Sequence, residues 1–217
     1  MHGLNVIQYA AIMALPLLFA ITVHEAAHGW MARRLGDRTA EMLGRLSLNP
    51  IKHIDPIGTI LIPGILLIAG GFIFGWAKPV PVDPRNLAHP RRDMAAVAAA
   101  APLANLAMTF IWAVIAKIGL TLVTIMPWLG LPLLLMGKIG INLNAILMIL
   151  NLLPLPPLDG GRVLVGLLPD RLADTVSRIE PYGLFILVGL MITGMLGQFI
   201  GPQVALLERL LVTLVGI

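Results

Sequence analysis

Residues 4–34 read LNVIQYAAIMALPLLFAITVHEAAHGWMARR and join a long apolar run to a charged end. The apolar part, residues 4–23, has the ~20 residues with which an α-helix crosses about 30 Å of hydrocarbon. Residues 24–28 then place two histidines and a glutamate at the end of that run, just before Arg33 and Arg34. Since ionisable groups inside a span are energetically costly, these side chains indicate either a buried cluster with partners or a reaction centre.

The composition of the whole chain indicates an integral membrane protein. Of its 217 residues, 58% are hydrophobic and only 12% are charged, whereas about 25% of the residues of soluble domains are charged. Three further apolar runs reach the length of a span: residues 94–116, 131–153 and 182–200. Another apolar stretch, residues 118–137, is divided here between two helices at the prolines of residues 127–132. We therefore predict an all-α polytopic membrane protein with about four to six transmembrane helices.

Residues 57–76 form a different kind of apolar stretch, because proline and glycine interrupt it. The interrupting residues are Pro63, Gly64, Gly70 and Gly71. Basic loops flank the stretch on both sides, which disfavours a single crossing. We favour a re-entrant segment, with an ordinary glycine-rich span as the alternative. Residues 77–82, AKPVPV, alternate like an edge strand beside which an extended peptide could pair, so we expect a re-entrant or short β-containing segment near residues 57–82.

The distribution of basic residues predicts the orientation of the chain. Most of the 15 Lys and Arg residues fall in three loops, within residues 33–52, 78–92 and 162–178, and none precedes Tyr9. The positive-inside rule places these loops in the cytoplasm. The first apolar run lacks the basic start and the cleavage site of a signal peptide, so we expect it to remain as a helix. No soluble basic domain is apparent, and we expect no nucleic-acid partner.

His24-Glu25-Ala26-Ala27-His28 matches the pattern His-Glu-x-x-His. Residues four apart lie on one face of a helix, so both imidazoles can bind a single tetrahedral Zn²⁺. Glu25 would then act as general base toward the water on the metal. The alternative is a helix end at which His28 and Arg33 extend toward the lipid headgroups, and that alternative gives Glu25 no role.

A catalytic zinc takes three protein ligands and a water, so a third ligand is needed. The chain has no cysteine, Arg34 occupies the position of the third histidine in the extended soluble pattern, and Glu41 lies among basic residues. The stronger candidate is Asp159 in NLLPLPPLDGGRV, residues 151–163, where prolines break a helix. The alternative for this residue is a helix-capping aspartate. The ligands of one zinc must lie at the same depth in the membrane. This condition requires either that residues 57–76 form a re-entrant segment or that residues 57–76 and residues 118–137 both cross.

With these motifs the chain resembles the site-2 proteases, zinc metalloproteases that cut peptide bonds within the membrane. The resemblance lies in HEAAH, in NLLPLPPLDGG and in PLANL at residues 102–106, and it spans about residues 5–165. It implies that His24, His28 and Asp159 bind one Zn²⁺ per chain and that Glu25 is the catalytic base. Asn151 is implied to hold the substrate backbone or the oxyanion. Asn105 is a further candidate for contact with substrate or for packing between helices.

The resemblance also implies a substrate and a location. The expected activity is that of an intramembrane zinc metalloendopeptidase, which hydrolyses peptide bonds within or near transmembrane segments of membrane proteins during regulated intramembrane proteolysis. The expected location is the inner (plasma) membrane of a prokaryotic cell, with the active site toward the cytoplasm. GRLSLNPIKHIDPIGT and GWAKPVPVDPRNL resemble the compact prokaryotic branch, and no polar block is long enough for a PDZ domain or a CBS pair.

The chain is expected to form one domain. Residues 1–217 would be a single integral membrane metalloprotease domain, with a core of about residues 5–165 and C-terminal helices in residues 182–217. The predicted partners are the lipid bilayer and a membrane-spanning protein or peptide substrate, and the sequence indicates no oligomeric state. Two alternatives remain: a metal-binding membrane protein or transporter without protease activity, which would usually show repeated halves, and a relative that binds peptide without cutting it.

Overall fold

The computed structural model describes residues 5–62, 65 and 77–217. The α-helices of these ranges are α1 (Val6–Arg34), α2 (Thr39–Met42), α3 (Pro90–Leu122), α4 (Pro127–Asn151), α5 (Asp159–Leu167), α6 (Asp170–Ser177), α7 (Glu180–Ile192) and α8 (Met195–Val215). Short 3₁₀ turns occur at Pro50–His53 and Pro84–Asn86, and a π-helical turn at Pro56–Leu61. These ranges contain no strand. The predicted all-α class is confirmed.

In the part of the chain that the structure describes, four helices are long and apolar enough to cross a membrane. They are α1, α3, α4 and α8. Helices α6 and α7 meet at an angle of 59° and would add a fifth span if the bent pair crosses as one unit. The prediction of four to six transmembrane helices is therefore confirmed at its lower end.

Local sequence determines where α1 begins and ends. The Asn5 side chain accepts a hydrogen bond from the Gln8 backbone N–H at 2.8 Å, and the Gln8 side chain accepts one from the Asn5 N–H at 3.0 Å. This reciprocal capping box satisfies two N–H groups at the start of the helix. After Leu35, Gly36 has φ 110°, a conformation that residues with a side chain rarely adopt, and the helix ends there.

Helices α1, α3 and α4 alternate in direction. His28, in the last part of α1, contacts Val97 in the first part of α3. At the opposite end, Gly119 of α3 lies against Gly130 of α4. The end of α1, the start of α3 and the end of α4 therefore lie on the same side of the bundle, as ligands that share one depth require.

Helices α3 and α4 form the most extensive helix pair in the described chain, and small residues line their contact. A Cβ atom on any of four glycines would collide with the facing helix: Gly119, Gly130, Gly137 and Gly140. Such small residues let two membrane helices approach closely. Trp112 of α3 fills the space beside Gly140 and is 4% exposed.

Helix α8 packs on the same core. Its Leu211 is 1% exposed and lies in one apolar cluster with Met108, Trp112 and Ile141. Ile200 and Val204 form a second cluster with Ala145 of α4. Lys117 at the end of α3 also donates a hydrogen bond to the Gly216 carbonyl that comes after α8. Helix α8 therefore runs in the same direction as α3.

The predicted breaks in the apolar stretches have different outcomes. The division of residues 118–137 is confirmed, because α3 ends at Leu122 and α4 begins at Pro127. The interpretation of residues 182–200 as one span is wrong. Gly194 has φ 74° and separates α7 from α8, and the 13 residues of α7 are too few to cross on their own.

The predicted re-entrant segment lies mostly outside the described residues. Residues 57–62 begin it with the π-helical turn, and residues 63–64 and 66–76 are not described. Whether this stretch turns back or crosses therefore stays a prediction. Residues 77–83 are described and have no regular secondary structure, so the edge strand expected at residues 77–82 is not formed.

Asp37 connects the loop after α1 to the region before α3. It is fully buried. Its Oδ2 accepts a hydrogen bond from the Asp83 N–H at 2.8 Å, while Oδ1 accepts from the Asn86 side chain at 2.9 Å and from the Thr39 hydroxyl at 2.5 Å. Burial by itself raises the pKa of Asp37, but these hydrogen bonds outweigh it and hold the pKa below its usual range.

The Asp37 hydrogen bonds predict a loss of stability in acid. A carboxyl with a lowered pKa in the folded state stabilises the fold above pH ~4, the ordinary pKa of an unfolded aspartate, and loses that contribution as the pH falls through the folded pKa. Wild-type protein in detergent should therefore have a lower melting temperature at pH 3 than at pH 6. Asp37→Asn should melt lower than wild type at pH 6, with a smaller difference between the two at pH 3. An equal difference at both pH values would contradict this role.

The close contact of α3 and α4 predicts that a single methyl group is disruptive. A Cβ on Gly137 would lie 2.6 Å from the backbone N and Cα of Ala116, which cannot move aside as a flexible side chain would. We expect Gly137→Ala to lower the free energy of unfolding by about 1–3 kcal/mol, the usual effect of overpacking. The matched control is Gly201→Ala within α8, where nothing lies within 4 Å of the added atom. Thermal unfolding in detergent measures both, and equal melting temperatures would disprove the prediction.

Candidate metal centre

His24 and His28 lie one turn apart on α1, in the part of the helix that packs against α3. Their ring centroids are 5.1 Å apart and the ring planes are nearly perpendicular. Residues at this spacing share one helix face. The two Nε2 atoms therefore point into the same space.

Asp159 reaches that space because residues 152–158, which join α4 to α5, form a compact turn. Helix α4 ends at Asn151, and α5 begins with Asp159 itself. Gly160 lies against the Leu152 and Leu153 backbone and Gly161 against the Leu155 and Pro156 backbone, so that a Cβ on either glycine would collide. The turn can fold back on itself only because these two residues lack a side chain.

The three side chains have the separations of a metal site. His24 Nε2 is 3.5 Å from Asp159 Oδ2, and His28 Nε2 is 3.4 Å from Asp159 Oδ1. One nitrogen or oxygen atom from each residue lies within 4.8 Å of the others. Two ligands bound at about 2.0–2.1 Å from a tetrahedral zinc lie roughly 3.3–3.4 Å apart. The distances from the two Nε2 atoms to the Asp159 carboxylate, 3.5 and 3.4 Å, are close to this value.

Asp159 also has an unsatisfied oxygen. Its Oδ2 is buried and has no hydrogen-bond partner among the described residues. Since an unpaired buried carboxylate oxygen is destabilising, this atom requires a cation or a proton. Together with two imidazole nitrogens, it completes a donor set that fits Zn²⁺.

Hydrogen bonds at Nδ1, the ring nitrogen away from Asp159, orient both histidines. His28 Nδ1 lies 2.9 Å from the Val97 carbonyl oxygen, which can only accept, so Nδ1 carries the proton. His24 Nδ1 lies 2.6 Å from Asn105 Oδ1. In a neutral imidazole with its proton on Nδ1, the lone pair is on Nε2. Both Nε2 lone pairs are thus directed toward Asp159.

Glu25 is the next residue after His24 and is held by a segment from elsewhere in the chain. Its Oε2 accepts a hydrogen bond from the Val80 N–H at 2.9 Å. Residues 77–83, called the covering segment below, therefore lie beside the acid. Arg45 holds this segment by donating from Nη2 to the carbonyl oxygens of Lys78, at 2.8 Å, and Pro79, at 3.3 Å.

The other predicted site residues lie in different surroundings. Asn105 is fully buried on α3, a position that favours the predicted packing between helices over contact with substrate. Asn151, at the end of α4, donates to the Leu147 carbonyl of its own helix at 2.9 Å, and its contact with substrate stays a prediction. Glu41 is paired with Arg33 at 3.3 Å and Arg38 at 3.7 Å and does not belong to the metal group.

Sequence reasoning missed three residues around the site: Arg45, Val80 and Asn144. Asn144 is fully buried on α4 and bonds to Asn105. Its position inside an apolar run, seven residues before Asn151 and hence on the same helix face, is a signal that could have identified it. Val80 acts through its backbone N–H and Arg45 through backbone carbonyls, so neither leaves a pattern in the sequence.

The fold and the site define a class of protein. A bundle of membrane-length helices carries a His-Glu-x-x-His turn and a distant aspartate at the separations of zinc ligands, with a glutamate beside them. This combination is that of a membrane-embedded zinc hydrolase.

Comparison with known proteins gives the family. The chain is 39% identical over 196 residues to "Putative zinc metalloprotease YwhC" of Bacillus subtilis (strain 168), a match that covers 87% of this chain and 83% of that protein. It is 29% identical over 188 residues to "Putative zinc metalloprotease Rip2" of Mycolicibacterium smegmatis, covering 84% of this chain and 67% of that protein. The Rip2 protein of Mycobacterium tuberculosis (strain H37Rv) is 27% identical over 187 residues, covering 85% and 68%. No family model and no solved structure matches the chain.

The chain belongs to the family of zinc metalloproteases that includes YwhC. Zinc is thus the metal that the family implies, and the donor set described above fits it.

The geometry predicts that Asp159 is required for zinc binding. Asp159→Ala removes the only carboxylate of the described His24, His28 and Asp159 group, so purified protein in detergent should lose its zinc, measured by atomic absorption after gel filtration. Asp170→Ala is the control, because Asp170 is an exposed aspartate paired with Arg91. It should retain zinc. Unchanged zinc content in Asp159→Ala would remove this residue from the ligand set.

Proposed function

We propose that the chain is an intramembrane zinc endopeptidase of the site-2 protease type. It hydrolyses peptide bonds within or near the transmembrane segments of membrane proteins, in regulated intramembrane proteolysis. One observation carries the proposal: the candidate ligands His24 and His28 and the acid Glu25 lie within a membrane-length helix, Ile7–Arg34, and not in a soluble domain. A site at that position acts on chains that are themselves in the membrane.

The proposed mechanism is metal-assisted hydrolysis. Zinc on His24, His28 and Asp159 supplies Lewis acidity toward a water molecule and the scissile carbonyl. Glu25 takes a proton from the attacking water as the water oxygen bonds to the carbonyl carbon. It then delivers that proton to the amide nitrogen as the C–N bond breaks. The products are a new carboxyl group and a new amine, and Glu25 is left as it began.

The covering segment supports Glu25 in this role. The Val80 N–H on Oε2 fixes one carboxylate oxygen, and the other oxygen is left to exchange the proton. The single hydrogen bond thus orients the base without using both of its acceptor atoms.

The same segment limits how a substrate can pair with it. Pro79 and Pro81 have no N–H, and the N–H groups of Lys78 and Val80 are bound to the His53 carbonyl and to Glu25. Val82 carries the remaining backbone N–H group of residues 78–82. An extended substrate along this segment would therefore donate its own N–H groups to carbonyl oxygens of the segment. We do not expect a regular β-ladder, in which both strands donate and accept.

The orientation and organisation are part of the proposal. Arg33 and Arg34 come shortly after the metal motif, which supports a site toward the cytoplasmic side of a prokaryotic inner membrane. Helix α8 packs on α3 and α4, which supports a single domain extending beyond the core of residues 5–165. Between His28 and Asp159, the described residues lie mostly in α3, α4 and the shorter helices and turns before α3. We therefore propose the compact type, with no PDZ domain inserted between the motifs.

The observations favour a protease over a metal transporter. A transporter needs further ligands along a path through the membrane. Among the described residues, one group of three or more potential ligands meets the geometry of a metal site, and it is His24, His28 and Asp159. Glu25 beside this group has a direct role in hydrolysis and none in transport.

The proposal predicts that Glu25→Gln binds zinc but does not cleave. Glutamine keeps an oxygen that can accept from Val80 but cannot take a proton from water, so the turnover of a single-span substrate in detergent should fall by at least ~10²-fold, the lower end for general-base catalysis. Zinc content should not change. Glu41→Gln is the control, because Glu41 pairs with Arg33 and Arg38 on the surface, and it should cleave normally. Wild-type turnover by Glu25→Gln would rule out the protease mechanism.

A further inference from the structure

Two buried asparagines connect His24 to a second and a third membrane helix. Asn105 lies on α3 and Asn144 on α4, and both are 0% exposed. Asn105 Nδ2 donates to Asn144 Oδ1 at 2.8 Å, and Asn144 Nδ2 donates to the Gly140 carbonyl at 2.8 Å. With the contact between Asn105 and His24, these bonds form a chain, called the asparagine relay below.

The direction of every hydrogen bond in the asparagine relay is fixed at its far end. The Gly140 carbonyl can only accept, so the nitrogen of Asn144 faces it and the oxygen of Asn144 faces Asn105. Asn105 must then present its nitrogen to Asn144. The Ala20 carbonyl lies 3.3 Å from the same nitrogen and fixes it in the same way. Only the Asn105 oxygen is left to face His24.

These hydrogen bonds determine which nitrogen of the His24 imidazole carries the proton. Since Asn105 Oδ1 can only accept, His24 Nδ1 must donate across the 2.6 Å contact. The proton is then on Nδ1 and the lone pair on Nε2, which is the nitrogen that faces Asp159 at 3.5 Å. The relay therefore selects both the tautomer and the orientation of the ring.

His28 is held differently. Its Nδ1 donates to a backbone carbonyl, that of Val97, which no side-chain substitution removes. His24 is thus the one of the two histidines whose orientation depends on replaceable side chains.

We propose that Asn105 and Asn144 are positioning residues that fix His24 as a zinc ligand. The proposal rests on the proposed function only in taking His24 as a ligand. It reassigns Asn105 from contact with substrate, because the residue is fully buried and both of its amide atoms are bonded within the protein. It also explains why a polar residue such as Asn144 lies in the apolar interior, where it stabilises the helix pair only modestly.

The test measures zinc affinity directly. Purified full-length protein in detergent is stripped of metal and titrated with zinc in competition with a chromophoric chelator. Asn105→Leu removes the acceptor of His24 while keeping a similar volume, and we expect zinc to bind about 10–100-fold more weakly, the usual effect of losing a partner of a ligand. Asn144→Leu leaves the Asn105 amide held by the Ala20 carbonyl alone, at 3.3 Å, and should produce a smaller loss.

Asn142→Leu is the matched control. Asn142 lies on α4, as Asn144 does, and donates to Glu208 of α8 at 2.8 Å. Its removal therefore also breaks one hydrogen bond between membrane helices. It has no bond to the relay, and its zinc affinity should equal that of wild type. Asn144→Leu replaces Asn105→Leu as the deciding variant if the latter does not fold, as judged by circular dichroism.

A double substitution separates positioning from a general effect on the fold. If Asn105 acts through His24, Asn105→Leu should weaken zinc binding no further once His24→Ala is present. Cleavage by Asn105→Leu should also recover at saturating zinc, whereas that of Glu25→Gln should not.

The outcomes distinguish this inference from the proposed function. Wild-type zinc affinity in His24→Ala would remove the ligand and with it the proposed site. If His24→Ala binds zinc more weakly but Asn105→Leu and Asn144→Leu bind it as wild type does, the relay alone is disproved. Equal losses in Asn105→Leu and Asn142→Leu, or a full additional loss in the His24→Ala background, would likewise overturn positioning.

Discussion

The metal centre depends on the hydrogen bond that each histidine makes on the side away from the metal. A neutral imidazole has one donor nitrogen and one acceptor nitrogen, so a bond at Nδ1 decides what Nε2 can do. Both of these bonds come from α3, through the Val97 carbonyl and Asn105. Helix α3 supplies no candidate ligand to the metal group. Its position relative to α1 nevertheless determines where both lone pairs point.

The close packing of α3 on α4 brings Asn105 and Asn144 into contact. Gly137 and Gly140 allow the two helices to approach until Asn105 and Asn144 are within 2.8 Å. Larger residues would separate the helices and lengthen that bond. In a membrane there is little hydrophobic force to draw helices together, and close van der Waals packing with a few interhelical hydrogen bonds takes its place. The glycines therefore permit the close approach of the two helices, and the asparagines form a hydrogen bond across it.

The features that could be predicted from the sequence are those that obey a local rule. Residues at positions i and i+4 of a helix must share a face, which placed His24 and His28 together, and the proline-broken helix identified Asp159. The contacts of Val80, Arg45 and Asn144 were not predicted, since their partners lie 55, 33 and 39 residues away in the chain and no periodicity joins them. The break at Gly194 was missed for another reason. A single glycine in an apolar run is compatible with both a continuous helix and a left-handed turn, and hydrophobicity does not distinguish them.

The two halves of the proposed site have separate supports, and this separation bears on how it works. The ligands are oriented by contacts between membrane helices, whereas Glu25 is oriented by the covering segment, which Arg45 and the bond from the Asp83 N–H to Asp37 fix at its two ends. A substrate that lies along the covering segment would therefore touch the support of the base and leave that of the ligands unchanged. On the proposed mechanism, binding of substrate would adjust the position of the general base while His24 and His28 keep their hydrogen bonds to α3. Proton transfer is sensitive to the distance between the base and the water, so such an adjustment would act on the chemical step itself.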